Sequence, residues 1–361
     1  MPVVFSNRGI VVAPAGSSSV AGALPAWLSG AAVLEWVEIA NSDMAAAQTG
    51  FTSPGGLPNQ VVAYSGGAVQ ESGSVLWVAG GGHADYAGNE PYSIRLSDNA
   101  PTWTRRRDPT ATVANDVEYY ADGRPSARHS YYQCQFINRR GKFFWFGGGS
   151  VWGSGNSGSI AVDSFDPNTH DWDSSGTYPD MPSGPGSACG VSKDASENVY
   201  IHNYNSGDLY KWTEATNTWS TLSNIDVANS AQSHCVDTSR NRIFRTAKGA
   251  ISAATIALDT GVKTDRTLSG ANAADIDNGM LVYDPNNDCF WFWRWNSTNL
   301  YRIHPTTFAV TIESVTGTVP DNTFGNGLHE FYGRFNYCPE LKGLVFVKDA
   351  NANVFFIRTS A

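Results

Sequence analysis

One unit recurs along this chain of 361 residues, and the recurrence restricts the fold more than any composition figure does. Each copy reads as a strand, a polar turn, an aromatic-rich strand, a loop, and a strand that closes near a tryptophan. In the clearest copy, Arg124 to Trp172, the runs HSYYQCQFI and KFFWFGGG flank the turn Asn138 to Gly141 and predict a hairpin. Asp166, Pro167, Asn168 and Thr169 form a turn signal that feeds an outermost strand at Trp172. Upstream, SGSVLWVAGGGHADYAGNEPYSIRLSDNAPTW repeats the glycine-rich end at Gly80 to Gly82 and the closing Trp103. Downstream, ENVYIHNYNSGDLYKWTEATNTW keeps Thr216 and Trp219, and RNRIFRTAKGAISAATIALDTG and NDCFWFWRWNSTNLYRIHPTTF are poorer copies. The last copy, FYGRFNYCPELKGLVFVKDANANVFFIR, stops after its third strand. Residues 33–40, VLEWVEIA, are expected to supply the missing strand, with Trp36 in the closing position, so that no sheet edge stays open.

Arg128 and His129 on the first strand, Gly147 to Gly149 after the second, and Asp166, Thr169 and Trp172 at the close resemble the kelch repeat. The chain as a whole is similar to kelch-like proteins of bacteria and bacteriophages and to the central domain of galactose oxidase. That resemblance implies an all-β fold, a single kelch-like β-propeller. Second strands centre near Trp77, Trp145, Ile201, Phe244, Trp291 and Phe346, at intervals of about 45 to 70 residues. The spacing predicts six four-stranded blades over residues 31–361; a seventh requires strands hidden between Asp108 and Gly123. Residues 1–30, rich in Ala, Gly, Ser and Pro, read as an arm or linker outside the ring.

Composition narrows the partners. A net charge of -9 disfavours nucleic acid, whose binders carry a basic patch that displaces counterions. Arg105, Arg106 and Arg107 are the one dense basic cluster, and directly after a predicted strand they read as a solvated turn. The five cysteines, Cys134, Cys189, Cys235, Cys289 and Cys338, have no metal-type spacing and read as small buried residues. The N-terminal stretch lacks an apolar run long enough for a classical signal peptide, and no membrane span is expected.

In a four-stranded antiparallel blade, the connection into strand one and the loop after strand two lie at the same end. That end is expected to gather a polar mouth. It would hold His83, Asp85 and Tyr86 from the first blade, Arg128 and His129 from the second, Gln232 and His234 from the fourth, Asp277 and Asn278 from the fifth, and His329, Tyr332 and Arg334 from the sixth. The same residues are candidates for blade-to-blade hydrogen bonding. The ligand-binding set is His83, Asp85, Tyr86, Arg128, His129, His234, His329, Tyr332 and Arg334, suited to an anionic or hydroxyl-rich ligand. Copper chemistry of the galactose oxidase kind is not expected, because the chain has no Tyr-His dipeptide. The HxD pair of His83 and Asp85, and the acidic group Asp163, Asp166 and Asp171, each lack a full ligand set, so no transition metal and no cofactor is expected, and a structural calcium in a loop is left open.

Three functions fit these features. The leading one is a non-catalytic recognition and structural module, a virion protein of the tail, fibre or decoration kind, which binds a glycan or protein and docks to other virion proteins through residues 1–30. The second is a polysaccharide lyase that uses His129, His234, Tyr332 and Arg334 to neutralise a uronate and abstract its proton. The third is a cytoplasmic protein-interaction propeller.

Overall fold

The computed structural model describes residues 23–155, 158–184, 190–203, 205–226, 233–246, 252–321, 323 and 332–361. Six sheets make up the fold, and in five of them four antiparallel strands lie in sequence order from first to fourth. The first four are built from Gly67–Gln70 to Trp103–Arg105, Cys134–Ile137 to Asp171–Trp172, Val191–Lys193 to Thr218–Asn224, and His234–Asp237 to Lys263–Thr267. The fifth runs from Gly279–Asp284 to Val310–Glu313. The sixth takes Phe335–Cys338, Gly343–Phe346 and Val354–Arg358 from the end of the chain and Glu35–Ile39 from its beginning. The blade count is six.

Ring closure follows the expected pairing, with the strand trimmed to Glu35–Ile39. Trp36 sits opposite Ile357 and Ile39 opposite Val354 in antiparallel register, while Glu35 pairs in parallel with Thr316 on the other side. Trp36 is buried and meets Trp293 of the fifth blade edge-on, ring centres 4.9 Å apart. Of the segment read as an arm, residues 23–30 are described, and they lie on the ring. Leu28 is fully buried, and Trp27 stands edge-on to Phe356 at 5.5 Å and donates its indole N–H to the Leu96 and Asp98 carbonyls.

Neighbouring blades are joined by aromatic stacks. Trp77 of the first blade lies over Phe136 and Phe143 of the second at 5.9 and 6.1 Å. Phe146 meets Trp212 of the third at 5.4 Å, and Phe244 of the fourth stacks on Phe290 of the fifth at 4.2 Å. Such pairs add about 0.5–1.5 kcal/mol each beyond the burial of their area. The closing tryptophans have a second task. Trp103, Trp172 and Trp219 each donate an indole N–H backward around the ring, to the carbonyls of Ser42, Asn89 and Pro179.

Arg105, Arg106 and Arg107 are engaged within the protein. Arg105 donates to the Ala47 and Thr49 carbonyls, Arg106 to Ser93 while lying over Trp77, and Arg107 pairs with Asp171 of the next blade. Cys134, Cys235, Cys289 and Cys338 are buried free thiols, and Cys189 lies outside the described residues.

Trp36→Ala should leave a void at the closure seam and cost about 3–5 kcal/mol. Equilibrium denaturant unfolding measures this; a loss below about 1 kcal/mol would show that the seam does not depend on that ring.

Candidate functional site

The mouth is organised by glycine at the seam between the first and second blades. Gly82 has φ +86, and a Cβ there would lie 2.5 Å from the Arg128 Cα, so only glycine lets the loop after Val75–Val78 reach the second blade. The backbone then crosses the seam. His83 N–H points to the Ser150 and Val151 carbonyls at 3.2 and 3.1 Å, His129 N–H shares the Ser150 carbonyl at 3.2 Å, and Gly153 N–H returns to the His83 carbonyl at 2.6 Å. Gly149 N–H holds the His129 carbonyl at 2.7 Å, and a Cβ on Gly149 would strike the Tyr131 ring at 2.4 Å.

On this frame three donor side chains meet. Asp85 Oδ2 is 2.7 Å from His129 Nε2, and His83 joins them so that one ligand atom from each lies within 4.8 Å of the others. His129 Nδ1 is 3.2 Å from the Tyr131 hydroxyl. The result is a chain from carboxylate to imidazole to phenol. Tyr64, half-buried, lies over His129 with ring centres 4.5 Å apart and planes at 31°. Tyr131 stands edge-on to Tyr332 at 5.1 Å, and Tyr332 to Tyr132 at 5.0 Å.

Tyr64, Tyr131 and Tyr332 occupy equivalent places, three residues before the first strands that begin at Gly67, Cys134 and Phe335. They come from three successive blades, the first, second and sixth. All three adopt left-handed backbone, with φ of +49, +40 and +32, and His83 does so at +47. Bulky residues hold this conformation only where their surroundings enforce it, at a cost of about 1–3 kcal/mol each, and such residues cluster at ligand sites. Tyr64 and Tyr131 were absent from the sequence-derived set. Their common offset before strand one is a signal visible in the chain, although the backbone twist that turns them to the mouth is not.

The other expected residues are placed differently. Arg128 is fully buried, donates to Ser159 Oγ at 2.5 Å, pairs with Asp163 and Glu118 at 3.2 and 3.3 Å, and lies over Trp145. Arg334 is also buried and donates to the carbonyls of Ser65, Val347 and Lys348 at 2.9, 3.1 and 2.5 Å; burial lowers its pKa to about 10. Both guanidiniums lie inside the protein and satisfy its own acceptors. His234 is buried in the fourth blade, 2.8 Å from Ser192 Oγ through Nδ1, and borders the channel along the ring axis. Its Nε2 has no hydrogen-bond partner among the described residues, and burial depresses its pKa to about 3. Asp277 and Asn278 precede the fifth blade, where the Asn278 carbonyl accepts from Trp295 N–H. His329 and Gln232 lie outside the described residues.

Tyr86 turns away from the mouth. It and Tyr92 both donate to Glu90 Oε1 at 2.8 Å, and Glu90 is fully buried. Burial pushes the Glu90 carboxyl up to about 7. A cluster not anticipated from sequence joins the third and fourth blades: Arg245 is bidentate to Asp226 at 2.6 and 3.0 Å, beside His202 and Lys263.

The ring and the seam cluster together define a six-bladed β-propeller that gathers polar and aromatic side chains between its first and second blades. No family model matches the chain, and no curated protein matches it in sequence. Among solved structures, YjhT shares 11% identity at a TM-score of 0.53, over 81% of this chain and 92% of that one. A streptogramin B lyase structure shares 13% at a TM-score of 0.47, over 92% of this chain and 98% of that one. The likeness to YjhT is one of fold, so the chemistry has to be argued from the side chains.

Glu90 gives a pH signature. Its carboxyl binds a proton more tightly folded than unfolded, so stability is full below about pH 4.5 and falls as pH rises toward about 7, by about 3 kcal/mol in all. Glu90→Gln, which stays neutral, should raise the melting temperature at pH 8 and leave it nearly unchanged at pH 4.5. Equal shifts at both pH values would contradict this.

Proposed function

We propose that this chain is a recognition propeller that binds a hydroxyl-rich ligand, a glycan, at the seam of its first and second blades. The observation that best supports this reading is the half-buried Tyr64 ring laid over His129, with Asp85 and His83 beside it. An aromatic face next to hydrogen-bonding groups suits a sugar ring, which has an apolar face and a hydroxyl rim. The left-handed backbones at Tyr64, His83 and Tyr131 support a pocket set in place before the ligand arrives.

A uronate lyase is the second reading, favoured by the Asp85, His129 and Tyr131 chain, which can pass a proton along carboxylate, imidazole and phenol. Of the two guanidiniums expected to meet a uronate carboxylate, neither is left for it among the described residues, since Arg128 and Arg334 are spent on protein acceptors. Recognition therefore ranks first. Tyr64→Asn removes the aromatic face with a residue that tolerates left-handed backbone. On an array of bacterial polysaccharides it should lower binding about tenfold or more, as should His129→Ala. Binding unaffected by both substitutions would overturn the glycan reading. Ultraviolet-absorbing unsaturated product formed from polyuronates, and lost in His129→Ala, would replace recognition by catalysis.

We place such a module on a phage particle, a reading that rests on the resemblance to phage kelch-like proteins. Because residues 23–30 lie on the ring, the docking segment in this proposal narrows to residues 1–22. Recovery of the chain in purified particles, lost on deletion of residues 2–22, supports it. Unchanged incorporation of the deleted form would sink it.

A further inference from the structure

We propose that His83, Asp85 and His129 bind one divalent ion of the zinc class at the blade seam. The inference concerns the same cluster as the glycan reading but does not rest on it, being argued from the donor set rather than from the Tyr64 ring. Sequence spacing offered two donors, His83 and Asp85, and the fold brings the third, His129, from 44 residues further along the chain. Two imidazoles and one carboxylate are a nitrogen-rich set, suited to zinc, cobalt, nickel, manganese or iron ions; calcium and magnesium prefer oxygen alone.

The geometry needs only a modest adjustment. Bonds of about 2.1 Å place donor atoms roughly 3–3.5 Å apart. His129 Nε2 and Asp85 Oδ2, at 2.7 Å, sit slightly inside that range, and the widest separation in the group is within 4.8 Å. His83 is half-buried, whereas His129 is nearly enclosed, so the adjustment falls to the His83 side chain. The ion would take the place of the proton now shared between His129 Nε2 and Asp85.

The surroundings fit the same assignment. An imidazole bound to metal through one nitrogen needs an acceptor at the other, and the Tyr131 hydroxyl lies 3.2 Å from His129 Nδ1. The backbones of His83 and His129 both bond to the Ser150 carbonyl, so the two imidazoles start from one fixed point. Three protein donors leave at least one coordination position for a water or a ligand oxygen.

The test uses the full chain, treated with EDTA and desalted. Calorimetric titration with zinc chloride should show one ion per chain, and cobalt(II) should give a visible absorption band that zinc abolishes. His83→Ala and Asp85→Asn should each weaken zinc binding by about tenfold or more, with far-ultraviolet circular dichroism confirming the fold. His170→Ala, at an exposed histidine elsewhere, should leave it unchanged. Absence of saturable binding, affinity unaltered in both site variants, or an equal loss in His170→Ala would overturn the proposal. Glycan binding measured without metal is read separately, so either result can fail alone.

Discussion

A four-stranded blade presents two faces, and it can bury both only when a neighbour stands on each side. Every other feature of this protein follows from meeting that condition six times in a circle. Aromatic pairs, Trp77 stacked on Phe136 and Phe244 on Phe290, Phe146 edge-on to Trp212 and Trp36 to Trp293, fill the wedges between blades. The closing tryptophans Trp103, Trp172 and Trp219 reach back to carbonyls of the segment before them, so the outer strands of the first three blades are each fastened to what precedes them. Packing sets the spacing of the ring and these hydrogen bonds set its angular position.

The seam site uses this stiffness. Its side chains come from separate blades, but the backbone bonds at Ser150 and the close approach at Gly82 join the two loops. The left-handed backbones at His83, Tyr64 and Tyr131 are held within this joined frame. The arginines do the opposite work. Arg128 and Arg334 are buried beneath the mouth and gather carboxylates or carbonyls that would otherwise be buried without partners.

Much of the architecture was legible because it rests on local chemistry. Glycines after strand two, the turn at Asp166 and the tryptophan at Trp172 each report a backbone requirement, and their recurrence revealed six blades and the closing role of Trp36. Strand position also brought His83, Asp85 and His129 together at one end of the first two blades. It could not report depth: Arg128 and His129 are adjacent in sequence, yet one pairs inward with Asp163 and the other meets Asp85. Nor could it report partners across blades. The HADY segment shows two donors, and the third becomes visible only when the seam brings His129 alongside. Tyr64 and Tyr131 escaped notice because their side chains face the mouth through left-handed backbone, which composition does not encode in tyrosine.

The pairing of Trp36 with Ile357 has a consequence for how the molecule is made. On a ribosome adding about 5–20 residues per second, the strand Glu35–Ile39 waits tens of seconds for its partner Val354–Arg358 to be synthesised. During that interval five blades can assemble in order while Glu35–Ile39 has no antiparallel partner. Closure of the ring is therefore a clasp rather than a final increment, since it joins two strands more than 300 residues apart.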